Sequence, residues 1–85
     1  MANKILRFTA SWCGPCKAMA TILESIKDDI KVPVEVVDID VFPEVAANYY
    51  VRSVPTLILV NELGETLKKM SGVRSEPVLR EWLNG

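Results

Sequence analysis

Eighty-five residues with a formal net charge of −1 make one small folding unit, with no charge excess to suggest nucleic acid or an anionic membrane as a partner. Hydrophobic residues make up 49% of the chain, enough for a core, yet no run of about 18 apolar residues exists to span a bilayer. Histidine is absent, which removes the commonest acid–base group and the commonest metal ligand.

The segment from Met1 to Arg7 lacks the long apolar stretch of a secretory signal, so a cytoplasmic location is expected. Lys4 to Thr9 reads as a strand. From Cys13 to about Asp29 the chain reads as a helix, with Met19, Leu23, Ile26 and Ile30 recurring at three- and four-residue steps as an apolar stripe. Val34 to Asp38 is rich in β-branched residues and reads as a second strand. Pro43 suits the first turn of a helix running to about Tyr50. The continuous apolar run Thr56–Val60 reads as a buried strand. Asn61-Glu62-Leu63-Gly64 turns the chain so that Thr66 to Met70 pairs back as a hairpin. Ser75-Glu76-Pro77 opens a last helix ending near Asn84, with Val78, Leu79, Trp82 and Leu83 as its apolar face. Tyr49 and Tyr50 are expected to cover the core. The order β-α-β-α-β-β-α predicts an α/β fold, a four-stranded mixed sheet with helices on both faces.

The only two cysteines, Cys13 and Cys16, stand three apart at the start of the first helical pattern. Only a thiolate attacks a disulfide, and unpaired N–H groups at a helix N-terminus favour negative charge, so the Cys13 thiol is expected to ionise more readily than usual. Cys16, one helical turn later, is placed to attack a mixed disulfide formed at Cys13. Gly14 admits a close backbone, and Pro15 starts the helix without wasting a donor. A structural disulfide across so short a loop removes little chain entropy, and a zinc site needs four ligands. The dithiol therefore points to redox chemistry. A cluster bridged between two chains stays open as an alternative.

Trp12-Cys13-Gly14-Pro15-Cys16-Lys17, Asp38-Ile39-Asp40 followed by Pro43, Ser53-Val54-Pro55-Thr56 and Ser71-Gly72-Val73 resemble the thioredoxin family in order and spacing across nearly the whole chain. The resemblance implies one thioredoxin-like domain over residues 1–85, with sheet order 2-1-3-4 and strand 3 antiparallel to strand 1. It implies a monomeric protein-disulfide reductase, with Cys13 the nucleophile and Cys16 the resolving thiol. Pro55 would be a cis-proline, and the Val54 backbone would hydrogen-bond an extended substrate. Trp12, Gly14, Pro15, Gly72 and Val73 would complete the docking surface. No bound cofactor or metal is implied beyond the Cys13–Cys16 disulfide itself. Electrons would come from an NADPH- and flavin-dependent thioredoxin reductase, and the partners would be disulfide-containing proteins.

The departures are specific. The family usually carries an additional N-terminal strand and helix. Its buried aspartate position falls on Arg7 and the partner lysine position on Val36. A cation beneath the dithiol would favour thiolate; otherwise Arg7 snorkels to solvent or pairs with a carboxylate. Asp38 and Asp40 read as strand-end carboxylates without an assigned role. In length the chain is nearer to glutaredoxins, although their Cys-Pro-Tyr-Cys and Gly-Gly signatures are not evident. The alternatives are thus a glutathione-recycled, glutaredoxin-like enzyme and a non-catalytic binding module on the same scaffold.

Overall fold

The computed structural model describes residues 3–84. Met1, Ala2 and Gly85, which the expected 1–85 unit includes, lie outside the described residues. Strand β1 spans Lys4–Thr9, helix α1 Gly14–Ser25, β2 Val34–Asp38, α2 Pro43–Asn48, β3 Thr56–Val60, β4 Thr66–Ser71 and α3 Glu76–Asn84. The sheet order is β2-β1-β3-β4. β1 runs parallel to β2 and antiparallel to β3, and β4 pairs antiparallel with β3. The expected four-stranded mixed sheet is therefore the observed one.

Alternation along β1 sorts its side chains between two layers. Ile5 lies on the face that meets Met19 and Leu23 of α1, Ile26 just beyond it and Leu79 of α3, with Leu57 beside it in the sheet. Leu6 and Phe8 face the other way, onto Val37, Ile58, Val60 and Ala46 of α2. Each cluster closes over one side of the sheet, so helices cover both faces. β1 and β3, paired on both edges, supply most of the fully buried strand residues.

Four sequence expectations change. The first helix is shorter than Cys13–Asp29: Cys13 is its N-cap, and after Ser25 the chain tightens into a 3-10 turn at Lys27–Asp29. Ile26 and Ile30 still reach the core from this tighter turn, which lets the apolar period run past the helix end. The second helix stops at Asn48, not Tyr50. Tyr50 has φ 56°, its N–H donates to the Ala47 carbonyl, and the Val51 N–H donates to the Ala46 carbonyl at 2.9 Å. This is a Schellman ending with tyrosine in the left-handed position usually given to glycine. The Lys69 ammonium donates to the Tyr50 carbonyl at 3.2 Å and anchors the turn from β4. Tyr50 consequently points outward and is exposed, whereas Tyr49 packs beside Phe8 and donates its hydroxyl to the Gly64 carbonyl at 2.7 Å. Lastly, Val78 is exposed, and Leu79, Trp82 and Leu83 alone carry the apolar face of α3. Trp82 is half-buried, with the Lys68 ammonium over its ring.

Candidate functional site

β1 ends at Thr9 and delivers Ala10 and Cys13 to one end of the sheet, where the chain turns into α1. The Cys13 N–H donates to the Ala10 carbonyl at 3.1 Å, and the cysteine adopts an extended backbone, φ −89° and ψ 106°, as the helix N-cap. Its Sγ accepts the Cys16 N–H at 3.1 Å, so sulfur occupies the place that a serine or aspartate oxygen takes in an ordinary cap. Pro15 sits in the first turn, where a missing N–H costs nothing. Cys13 and Cys16 are joined as a disulfide with a Cα–Cα separation of 5.3 Å. Both are buried, in a small apolar cluster with Ala10, Ile39 and Val54. Gly14 and Pro15, between them, are exposed.

The second part of the site comes from the loop before β3. The Val54–Pro55 peptide is cis, and Pro55 is buried. The Val54 carbonyl lies 3.7 Å from Cys13 Sγ. Thr56, itself buried, ties the loop by donating its hydroxyl to the Ser53 carbonyl at 2.8 Å. From the end of β4, the Gly72 N–H donates to the Pro55 carbonyl at 2.9 Å. Gly72 has φ 84°, a left-handed backbone that glycine adopts without strain. The structure thus brings together Cys13, Cys16, Val54 and Pro55 and links Gly72 to them. Val73 follows on the exposed side.

Trp12 is 67% exposed, next to a cysteine that is almost fully buried. Its indole is not loose: Nε1 donates to Asp40 Oδ2 at 2.8 Å. Asp38 Oδ1 in turn accepts the Asp40 N–H at 2.8 Å and shapes the turn that presents Asp40. The two carboxylates read from sequence as plain strand ends are therefore a clamp on Trp12. Their proximity to strand β2's end was legible; the contact across 28 residues was not. Asp40→Ala is expected to change Trp12 fluorescence and raise KM for a protein disulfide about two- to fivefold, since a lost orienting hydrogen bond is worth about 0.5–1 kcal/mol. Unfolding by denaturant is expected to shift little, the pair being exposed. An unchanged kcat/KM would show that the indole needs no such clamp.

Of the two simpler roles expected of Arg7, pairing with a carboxylate is not observed. It forms no ion pair among the described residues, where the pairs are Lys4–Glu35, Lys27–Glu24 and Arg80–Asp29. It is half-buried, with part of the side chain still reaching solvent, and desolvation pushes its guanidinium below the ordinary arginine value. It stays cationic at neutral pH all the same. Among the described residues, no group of three or more histidine, cysteine, aspartate or glutamate side chains is placed to hold a metal ion. No helix there is long and apolar enough to cross a membrane.

A two-cysteine redox site at the head of a helix, on a four-stranded mixed sheet, defines a thiol–disulfide oxidoreductase. Comparison with known proteins gives the same class. The thioredoxin family model matches residues 2–85. Thioredoxin from Staphylococcus epidermidis is 40% identical over 83 residues, covering 95% of this chain and 79% of that one. A thioredoxin-like protein of Synechocystis is 37% identical over 81 residues, covering 93% and 76%. The crystal structure of Fasciola hepatica thioredoxin superposes with a TM-score of 0.84 at 33% identity, covering 98% of this chain and 79% of that one. The chain belongs to the thioredoxin family.

Proposed function

We propose that the protein is a reductase of disulfides in other proteins, with Cys13 as nucleophile and Cys16 as resolving thiol. The observation that carries this reading is the position of Cys13 Sγ: it caps α1, accepts a helix N–H at 3.1 Å, and lies beside the Val54 carbonyl at the exposed end of the sheet. In the reduced protein the Cys13 thiolate keeps the N–H contact and attacks a substrate sulfur. The Cys13–substrate bond forms, the substrate disulfide breaks, and the departing thiolate takes a proton from water. Cys16, as thiolate, then attacks Cys13 Sγ. The Cys13–Cys16 bond forms, the second substrate sulfur leaves and is protonated, and the substrate has gained two electrons.

Val54 and Pro55 form the rim against which an extended substrate segment lies, through backbone hydrogen bonds to Val54. Trp12, Gly14, Pro15, Gly72 and Val73 supply the surrounding contact surface. The working protein on this reading is a cytoplasmic monomer, and a flavin-dependent reductase using NADPH returns its disulfide to the dithiol.

The test is turnover. Catalytic amounts of the protein are expected to accelerate reduction of a disulfide-bonded test protein by a small dithiol, and by NADPH with a flavin-dependent thioredoxin reductase. Equal acceleration with glutathione alone would transfer the protein to the glutaredoxin type of recycling. No acceleration by folded, fully reduced protein would overturn the reductase reading.

A further inference from the structure

Cys16 has to lose a proton to resolve the mixed disulfide, and with no histidine in the chain the group that favours that loss is not obvious. The structure offers few choices. Apolar Ala10, Ile39 and Val54 surround the two cysteines on the side of the rim. On the other side Cys16 opens onto a cleft of about 260 Å³ between α1 and the sheet. The charged side chains lining that cleft are Arg7 of β1, Lys17 of α1 and Asp38 of β2.

Of the two cations, Arg7 is the one built into the sheet. It lies on the same face of β1 as Ile5, the face that α1 covers, with Leu57 and Val36 opposite it on the neighbouring strands. Ala20 of α1 lines the cleft with it, and with Leu23 and Val36 it borders an adjoining hollow where Glu24 and Lys27 are the other charged residues. Neither Glu24 nor Asp38 is within ion-pair distance of it. Asp38 is turned to its own task, accepting the Asp40 N–H. Lys17 is exposed on α1. A half-buried guanidinium without a carboxylate partner costs desolvation energy, and an anion beside it repays that cost.

We propose that Arg7 is a positioning residue of the exchange reaction, whose guanidinium stabilises the Cys16 thiolate from the sheet side of the cleft. The proton leaves through the cleft to water, so no side chain has to accept it. This deepens the dithiol mechanism proposed above and rests on it only for the identity of the resolving sulfur.

The test needs no substrate and is thus separate from any failure of reductase activity. In a Cys13→Ser background Cys16 is the only thiol, and its ionisation is followed by thiolate absorbance against pH. Arg7→Met, which keeps an apolar stem between α1 and the sheet, is expected to raise the midpoint by about one pH unit or more, and Arg7→Lys to restore most of the difference. In the Cys13-containing protein, assayed below the midpoint, resolution of a mixed disulfide is expected to slow about three- to fourfold. Thiolate falls about tenfold per pH unit, while the more basic sulfur regains about threefold in nucleophilicity. An Arg7→Met midpoint equal to that of the parent overturns the proposal. Should Arg7→Met not fold, Arg7→Gln decides: a neutral polar side chain of similar reach is expected to raise the midpoint as well, and an unchanged midpoint overturns the role of the cation.

Discussion

Cys13→Ser is expected to bring disulfide reduction down to the uncatalysed rate, whereas Cys16→Ser is expected to leave the protein covalently attached to its substrate. The two sulfurs are similarly buried, so exposure does not separate them. Surroundings do. Cys13 sits at the helix cap, between exposed Trp12 and the Val54 carbonyl, where a substrate strand can lie. Cys16 sits inside α1, buried behind the first turn, and lines the cleft between α1 and the sheet, away from the Val54 rim. Serine at position 13 keeps the cap hydrogen bond but lacks a nucleophile that ionises near neutral pH. Serine at position 16 leaves the first attack intact and removes the second, so the mixed disulfide accumulates. Non-reducing electrophoresis and intact mass of each variant after mixing with a disulfide-bonded protein distinguish the two. Trapping by Cys13→Ser in place of Cys16→Ser would exchange the assigned roles.

The largest loss of stability is expected from Phe8→Ala. Phe8 is fully buried at the centre of the layer under α2, among Leu6, Val37, Ala46, Ile58 and Val60, with the Tyr49 ring 6.2 Å away at a 56° tilt. Truncating a buried phenylalanine costs about 3–5 kcal/mol, because the lost transfer energy is joined by the cavity left behind. A chain of 85 residues is held by about 4–13 kcal/mol in total, so the variant is expected to lose from about a quarter of its stability to all of it. Phe8→Leu is expected to lose far less, since most of the volume stays filled. Chemical denaturation of the three proteins measures this directly. A loss below about 1 kcal/mol in Phe8→Ala would contradict the packing of that layer.

Local rules sufficed where the determinants were local. Lys4–Thr9, Val34–Asp38 and Thr56–Val60 were bounded correctly because β-branched and apolar runs end at turn residues. The sheet order followed from the family resemblance rather than from periodicity. What escaped depended on partners far along the chain. Nothing after Ser25 marks a helix stop, since Ile26 and Ile30 continue the period through a 3-10 turn. Tyr50 ends α2 in a left-handed conformation with Lys69 from another strand at its carbonyl, and no glycine announces it. Val78 has the character of a core residue, but the single layer of sheet beneath α3 reaches only Leu79, Trp82 and Leu83. At the site, spacing exposed the dithiol and the resemblance pointed to Val54, Pro55 and Gly72. The resemblance also put Arg7 beneath the dithiol, whereas the Trp12–Asp40 clamp and the cleft that Arg7 lines with Cys16 emerged only in three dimensions.

The strand order β2-β1-β3-β4 also decides which parts of the molecule open first. Among the described residues β2 and β4 each have one unpaired edge, and Val34, Val36 and Leu67 on them are exposed, so local openings that admit solvent to backbone amides are expected to begin there. β1 and β3 are bonded on both sides and open only when the whole sheet comes apart. The segment carrying Cys13 leaves the end of β1, and Pro55 stands immediately before β3. Both halves of the redox centre are therefore rooted in the two strands expected to exchange slowest, and the rims of the sheet can breathe without parting the cysteines from the loop that faces them.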